Sequence, residues 1–502
     1  MKQNKKMNRR QFLGTTAAVA GLTIVPRHVL GGVNYVAPSD KITIGFIGTG
    51  TQGLRQMMQH IVHPEIQIVS VCDPNKDGND YIEWFENELR DKVRQFLDEP
   101  EWGERLKGCR AGRQVGKEIV EKYYAKHKPS KKYNGCSAYS DFREMLLKEK
   151  DIDAVYIMTP DHLHGPIAIA AMKKGKHVIM HKPLASVLYE VRLVSDIARQ
   201  SKVATHMFCA ESKHTTPLLC EWIWDGAIGH VREVHNWSNR PFWPQGMTQY
   251  PTETPPIPDG FDWDLWLGPA QYRPYHPAYT HAVFRGWVDF GTGALGDMGH
   301  YSFRQIFQIL KLDKPIRVEA SRSQFWEIVD LHWQKQENDV SFPRASLIHF
   351  EFPERDDMPP VSLHWYDGGL RPPKPRELEM DGREMPQDGV LFIGDKGKIL
   401  AEFTGDSSRI IPEEKMRAYK RPPKTLLRPI GGFDQWVHAC KGGESSSASF
   451  EAVEKLTETV CLGNIALRIN EKLHWDSDNL KFTNSPEADE LIHRQYREGW
   501  QL

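Results

Sequence analysis

The chain has 502 residues, 26% of them charged, with a formal net charge of −1. That length exceeds what one hydrophobic core serves, so two or three domains are expected. The near-neutral balance excludes the basic footprint of a nucleic-acid binder or of a protein held electrostatically to anionic lipid.

Residues 1–31 read as a targeting segment and stand outside the fold. Lys2, Lys5 and Lys6 give a basic start, Asn8-Arg9-Arg10-Gln11-Phe12-Leu13 follows, and an apolar run from Gly14 to Val25 ends at Pro26. The run is too short to span a bilayer. Paired arginines ahead of Phe-Leu resemble a twin-arginine export signal, which predicts a periplasmic destination with the cleavage site left open. No later segment reads as membrane-spanning. The seven cysteines show no CxxC spacing and no metal-ligand pattern, and most read as small buried residues. A Cys109–Cys136 disulfide stays an open alternative in an oxidising compartment.

The first predicted strand is Ile42–Ile47, followed directly by Gly48-Thr49-Gly50-Thr51-Gln52-Gly53 and a helical pattern with Leu54, Met57, Met58 and Ile61 on one face. A second apolar run, Ile66 to Val71, ends at Asp73. A G-x-G-x-x-G run alone is a weak signal. Between strand and helix, with an acid closing the next strand, it reads as a dinucleotide-binding fingerprint. Gly48 permits the tight turn, Gly50 lets the backbone approach a pyrophosphate, and Gly53 lets the helix pack closely, with the helix N-terminus facing the phosphate charge. Asp73 can accept hydrogen bonds from a ribose 2′-hydroxyl and would repel a 2′-phosphate. Lys76 is the only cation nearby in sequence, so NAD is favoured over NADP.

Residues 74–138 interrupt the βαβ rhythm with a charged, mostly helical insertion around Tyr81–Lys128. The rhythm resumes at Tyr139-Ser140-Asp141-Phe142, then strand Ala154–Met158, the run Thr159-Pro160-Asp161-His162-Leu163-His164, and a helix over Gly165–Lys174 stopped by Gly175. Strand His177–Met180 leads into His181-Lys182-Pro183-Leu184-Ala185. The nucleotide-binding domain is accordingly set at 40–185.

The stretch TPDHLH…AIAAMKKGKHVIMHKPLA resembles the Gfo/Idh/MocA family of sugar oxidoreductases. The likeness continues through GAIGHVREVHNWSNRPFWPQG (226–246), GTGALGDMGHYSF (291–303), the WYDGG run (365–369) and YREGW (496–500). It implies that Thr159, Pro160, His162 and His164 line the nicotinamide side and that Lys182 is the active-site lysine, itself touching the cofactor. Two departures stand out. The family usually reads Glu-Lys-Pro where this chain has His181-Lys182-Pro183, which removes the acid that would hold the lysine charged. The family often reads Asp-x-Gly-x-His, whereas Asp297-Met298-Gly299-His300-Tyr301 places His at +3 and Tyr at +4.

Hydride transfer from a carbinol needs a proton acceptor, stabilisation of the developing alkoxide, and a C–H held against the nicotinamide. Lys182 is the candidate for the oxygen. His300 or Tyr301 is the candidate proton acceptor, with Asp297 orienting the pair. A helix is predicted around Phe303–Leu310; if it reaches back far enough, positions 297, 300 and 301 share one face. No Glu or Cys completes a ligand set with the histidines, so no metal is expected. The proline-rich loop with Arg240 and Trp243, together with the stretch 261–287 (Trp263, Trp266, Arg285, Trp287), is the expected substrate wall, since flat apolar rings suit sugar faces.

The second α/β domain, 186–502, should open with a helix near Ser186–Val191. It should continue as an open, mostly antiparallel mixed sheet with strands around 230–238, 315–321, 345–352, 361–366 and 390–403 and a helix over Phe450–Asn470. Family likeness implies that this sheet packs against a partner subunit in a homo-oligomer, a dimer or tetramer. Three functions are thus on the table: an exported NAD-dependent sugar or polyol oxidoreductase with a tightly held cofactor; a glycosidase that uses NAD transiently, by oxidation at C3 and elimination; and a non-catalytic sugar-binding protein.

Overall fold

The computed structural model describes residues 40–104, 106–127, 132–209 and 214–502. The expected export segment, 1–31, lies outside the described residues. No helix among the described residues is long and apolar enough to cross a membrane.

Strand β1 (Ile42–Ile47) runs through the glycine loop into α1 (Thr51–His60), and β2 (Ile66–Cys72) returns beside it. A two-stranded ribbon, β3 (Gly78–Tyr81) with β4 (Cys109–Ala111), flanks α2 (Glu88–Leu97). The chain then follows α3 (Arg113–Lys126), β5 (Ser137–Tyr139), α4 (Phe142–Lys148), β6 (Ala154–Ile157), α5 (His164–Lys173), β7 (His177–His181), α6 (Leu188–Ser201) and β8 (Thr205–Phe208). The six strands form one parallel sheet in the order β5-β2-β1-β6-β7-β8. This is the doubly wound order whose switch point lies between β1 and β6. Both strands are apolar and almost fully buried, as a sheet covered on both faces requires.

Two expected boundaries move. The first sheet runs past residue 185, because β8 pairs with β7 and α6 is the crossover between them. The insertion is shorter than 74–138, because α3 packs on β2 and β5 as their crossover helix, leaving the β3–β4 ribbon and α2 as the added part. Cys109 and Cys136 are both buried free thiols.

The second unit begins with α7 (Thr216–Trp224) and β9 (Val231–Trp237), and continues through α8 (Gly293–Ile309), β10 (Arg317–Arg322) and the hairpin β11 (Phe325–Val329) with β12 (His332–Gln336). Strands β13 (Ser346–Phe352), β14 (Val361–Tyr366), β15 (Gly389–Gly394), β16 (Gly397–Glu402) and β17 (Arg409–Ile411) follow, then helix α9 (Phe450–Ile469), β18 (Leu473–Asp476) and β19 (Lys481–Phe482). The nine-stranded sheet, β17-β16-β15-β9-β14-β13-β10-β18-β19, is antiparallel except for β9 beside β14. The run expected as one strand over 390–403 is two, because Gly394 pairs with Gly397 across a tight Asp395-Lys396 turn.

Helix α9 is buried on almost every side. It packs on α8, β10 and β13 on one side and on α6 and β8 on the other, which fastens the two sheets together. Its buried acid Glu458 is matched by Arg192 at 2.7 Å and by the Trp475 indole N–H at 2.8 Å. Helix α8 spans residues 297–301, so the reach that the sequence left conditional is realised.

Candidate active site

The switch point opens a crevice lined by Gly48, Gly50, Thr51, Gln52, Gly53, Asp73, Thr159 and Pro160 from the first domain and by Trp266, His281, Phe284 and Arg285 from the second. Gly48 has φ +94°, and a Cβ there would lie 2.4 Å from the Met158 carbonyl oxygen. A Cβ on Gly53 would lie 2.0 Å from the Gly48 carbonyl oxygen, so helix α1 can approach the loop only with glycine at this position. Gly50 caps α1 without a side-chain hydrogen bond, and the first turn carries no acid. The N–H groups of that turn are left for an anion. Gln52 Oε1 and Thr159 Oγ1, both buried, find no hydrogen-bond partner among the described residues. An uncapped helix start and two orphaned polar atoms around one crevice fit a pyrophosphate-bearing dinucleotide.

Asp73 is buried, and its carboxylate accepts the backbone N–H of Thr49 at 2.7 Å and of Asn75 at 2.8 Å. Burial pushes its carboxyl above the ordinary value, while these two bonds oppose the shift. The acid therefore holds the glycine loop and faces the crevice with lone pairs to spare. Arg113, which the sequence reading did not place here, reaches the carbonyls of Asp73 and Pro74, both at 3.1 Å. Its donors on that side are spent on the chain. Tyr81 stacks on His281 with ring centroids 3.6 Å apart, closing one wall of the crevice.

Beyond the glycine loop lies a charged array. Lys182, 3% exposed at its side chain, donates from Nζ to Asp297 Oδ1, which also accepts Arg285 Nε at 2.9 Å. Burial works against ionisation of Asp297, but the Lys182 ammonium and the Arg285 guanidinium overcome it and hold its carboxyl well below the usual carboxylate range. Asp297 thus supplies the countercharge that the sequence lacks at position 181. His181 lines the crevice, and burial followed by the neighbouring Lys182 charge keeps its imidazole neutral. Tyr301, one turn beyond Asp297 on α8, presents its ring 5.4 Å from Lys182 Nζ. Burial, with the Cys209 thiol and Asp297 beside it, pushes its phenol well above the ordinary value.

Other expected site residues fall elsewhere. His162 is fully buried, with ring nitrogens 3.2 Å from the Phe290 carbonyl and 2.9 Å from that of Trp266; burial holds it down to about 3. His164 has its ring nitrogens 2.6 Å from the Pro183 carbonyl and 3.0 Å from the Thr159 carbonyl, one of which its single N–H can serve. Both histidines sit against the loops after β6 and β7, outside the residues that line the crevice. His300 is fully buried, donating from Nδ1 to the Gly296 carbonyl at 2.9 Å, and burial holds it at about 3. Its Nε2, also buried, finds no hydrogen-bond partner among the described residues. Trp287 is core: it stacks on Tyr250 and its indole N–H donates to the Ala278 carbonyl at 2.8 Å. Arg240 turns to Asn239, Asp388 and the Phe242 ring. Trp243 stays at the site, its ring 5.9 Å from the Arg285 guanidinium carbon. Arg285 itself is the functional residue that sequence reading underweighted, since nothing in its flanking residues signals the Asp297 contact.

Two models of one oxidoreductase family match the chain, its NAD-binding Rossmann fold over residues 111–208 and its C-terminal alpha/beta domain over 224–339 and 375–502. Among curated proteins, levoglucosan dehydrogenase of Pseudarthrobacter phenanthrenivorans is 36% identical over 109 residues, 20% of this chain and 27% of the relative. A glycosyl hydrolase family 109 protein of Shewanella pealeana is 28% identical over 213 residues, 39% of this chain and 38% of the relative. The chain thus aligns with well under two thirds of either relative. Among solved structures, the WlbA dehydrogenase of Chromobacterium violaceum, in complex with NADH and UDP-GlcNAcA, shares the fold with a TM-score of 0.54 at 13% identity, covering 88% of this chain and 97% of that one.

Proposed function

Because this chain belongs to the Gfo/Idh/MocA oxidoreductase family, we propose that it moves hydride between a tightly held NAD and a carbinol carbon of a sugar or polyol. The observation that carries this reading is the Lys182–Asp297–Arg285 array beside the glycine-loop crevice. The N–H groups at the start of α1 would hold the pyrophosphate, and Asp73 the ribose of NAD in preference to NADP. Bound NAD supplies the hydride acceptor.

The chain's own groups supply the rest. Lys182, ion-paired with Asp297, hydrogen-bonds the substrate oxygen and stabilises the alkoxide in a site shielded from water. Arg285 shares the Asp297 oxygen and fixes the carboxylate in place. Tyr301 enters with its proton on, so it orients the substrate hydroxyl as a donor and can accept a proton only after passing its own on. His181, neutral and lining the crevice, can accept the hydroxyl proton at a ring nitrogen. Sugars suit the aromatic wall of Trp243, Trp266 and Phe284. Export through the twin-arginine route, which carries folded proteins, would let the cofactor be loaded beforehand, and a homo-oligomer is the proposed assembly.

A second reading is favoured by Tyr301 at the position where the family often has histidine, together with the family 109 glycosidase match. In it, bound NAD would take up the C3 hydride and later return it, while a base would remove the C2 proton, the aglycone would leave from C1 and water would add there. One experiment separates the two. The purified chain, checked by mass for released NAD, is incubated with sugars and glycosides in deuterated water. Net NADH or a reduced second substrate without label at C2 is the oxidoreductase outcome. Deuterium at C2 with no net NADH, lost in Tyr301→Phe, is the glycosidase outcome. Absence of bound nucleotide together with no turnover would overturn both.

A further inference from the structure

On the second sheet, side chains alternate between two faces. Asn236 of β9 points toward α8, where Ser302 donates to its Oδ1. Its neighbour His235 therefore points to the opposite face, away from Lys182 and the crevice. On that face the strand register sets His235, His364 and His349 side by side across β9, β14 and β13, with Glu233 two residues along β9.

Glu233 Oε1 lies 2.8 Å from His235 Nε2 and 3.3 Å from His364 Nε2, and the three candidate ligand atoms all fall within 4.8 Å of one another. We propose that Glu233, His235 and His364 form a binding site for a divalent cation of the zinc class, with the fourth position left to water.

The chemistry of the donor set selects the ion. Two imidazoles and one carboxylate suit a borderline cation, whereas calcium and magnesium take oxygen ligands throughout. The spacing is also right. A tetrahedron built on bonds of about 2.0–2.1 Å has edges of about 3.3 Å, close to the two separations of Glu233 Oε1 from the imidazoles, and closing the set requires the two stacked imidazoles to converge. The ligands come from adjacent strands of a sheet, which fixes their Cα positions without an ion. Behind the first ligand, His235 Nδ1 lies 2.9 Å from the Tyr366 hydroxyl. A hydrogen bond donated from Nδ1–H to that oxygen leaves Nε2 as the lone-pair atom, the arrangement of the outer partner that orients metal-bound histidines. His349, its ring 3.9 Å from that of His364, stands beside the site without joining the converging set.

The site is separate from the crevice, so its test needs no turnover. Full-length, tag-free protein stripped with a chelator is dialysed against Zn²⁺ and its metal quantified by mass spectrometry. One Zn²⁺ per chain is expected, uncontested by excess Mg²⁺. Tyr366→Phe should weaken binding roughly 10–100-fold, and His235→Ala, His364→Ala and Glu233→Gln should weaken it more. His349→Ala should leave it within a few-fold. Co²⁺ should give the intense visible absorption of a tetrahedral site, lost in His364→Ala. Bound nucleotide and far-ultraviolet circular dichroism certify that each variant is folded. No Zn²⁺ at micromolar concentration, stoichiometric binding indifferent to all three ligand substitutions, or binding lost with His349→Ala but not with His364→Ala would each overturn the proposal.

Discussion

Lys182 and Asp297, 115 residues apart in the chain, meet in an ion pair whose lysine side chain is only 3% exposed. One partner stands at the end of a Rossmann strand, the other on a helix of the second domain. The pair therefore exists only when the two domains are docked, and it holds the lysine beside the crevice without an acid next to it in sequence.

Lys182→Met should abolish sugar-dependent NAD reduction while the protein still carries nucleotide. The expected loss is about 100-fold or more, the scale of removing one donor from a developing oxyanion. Turnover within a few-fold of wild type, measured with nucleotide content in the same preparation, would remove Lys182 from the chemistry.

Asp297→Asn leaves Lys182 and Arg285 facing each other in a buried site without a countercharge. Breaking such a pair costs about 3–5 kcal/mol, so the variant should melt well below wild type at pH 7. The folded carboxyl is held well below its usual range, so its contribution is complete above the unfolded value of about 4 and is lost as the pH falls through the folded one. Melting curves of the two proteins should converge in strong acid; a gap that stays constant down to pH 2 would argue that the loss is steric.

Asp73→Ala removes the acceptor for the Thr49 and Asn75 N–H groups as well as the expected ribose contact. NAD affinity should fall, and the preference over NADP should narrow because the repulsion of a 2′-phosphate goes with it. Titrating both nucleotides into stripped protein measures the ratio. An unchanged ratio would place the ribose away from residue 73.

Burial keeps His60 neutral, its value lowered to about 4, and holds His162 and His300 at about 3. In the unfolded chain each takes up a proton near pH 6.5. The unfolded state then binds more protons than the folded state over the window from about 6.5 down to about 3. Stability should be full above pH 6.5 and fall steadily below it. Melting temperatures from pH 7.5 to 4.5 check this, and a flat profile would count against burial of neutral imidazoles.

Local pattern was enough for the opening of the nucleotide-binding half. An apolar strand, a glycine run and an amphipathic helix are neighbours in sequence and remain neighbours in space, so β1, the loop and α1 follow from residues 42–60 alone. Asp73 was legible for the same reason. The character of each histidine was not. The family resemblance placed His162 and His164 at the nicotinamide side, and spacing made His300 a candidate proton acceptor, yet each directs a ring nitrogen to a backbone carbonyl. A neutral imidazole serves equally as a brace or as a site residue, and only the groups across from it decide which. The Trp287 ring went the same way, into the core. What tertiary structure alone decided was convergence: Asp297 meeting both Lys182 and Arg285, and Glu233 lying beside both His235 and His364, a residue of another strand. Charge pairing and ligand sets depend on distances of a few ångströms between distant segments, and a linear sequence encodes those distances only through the fold.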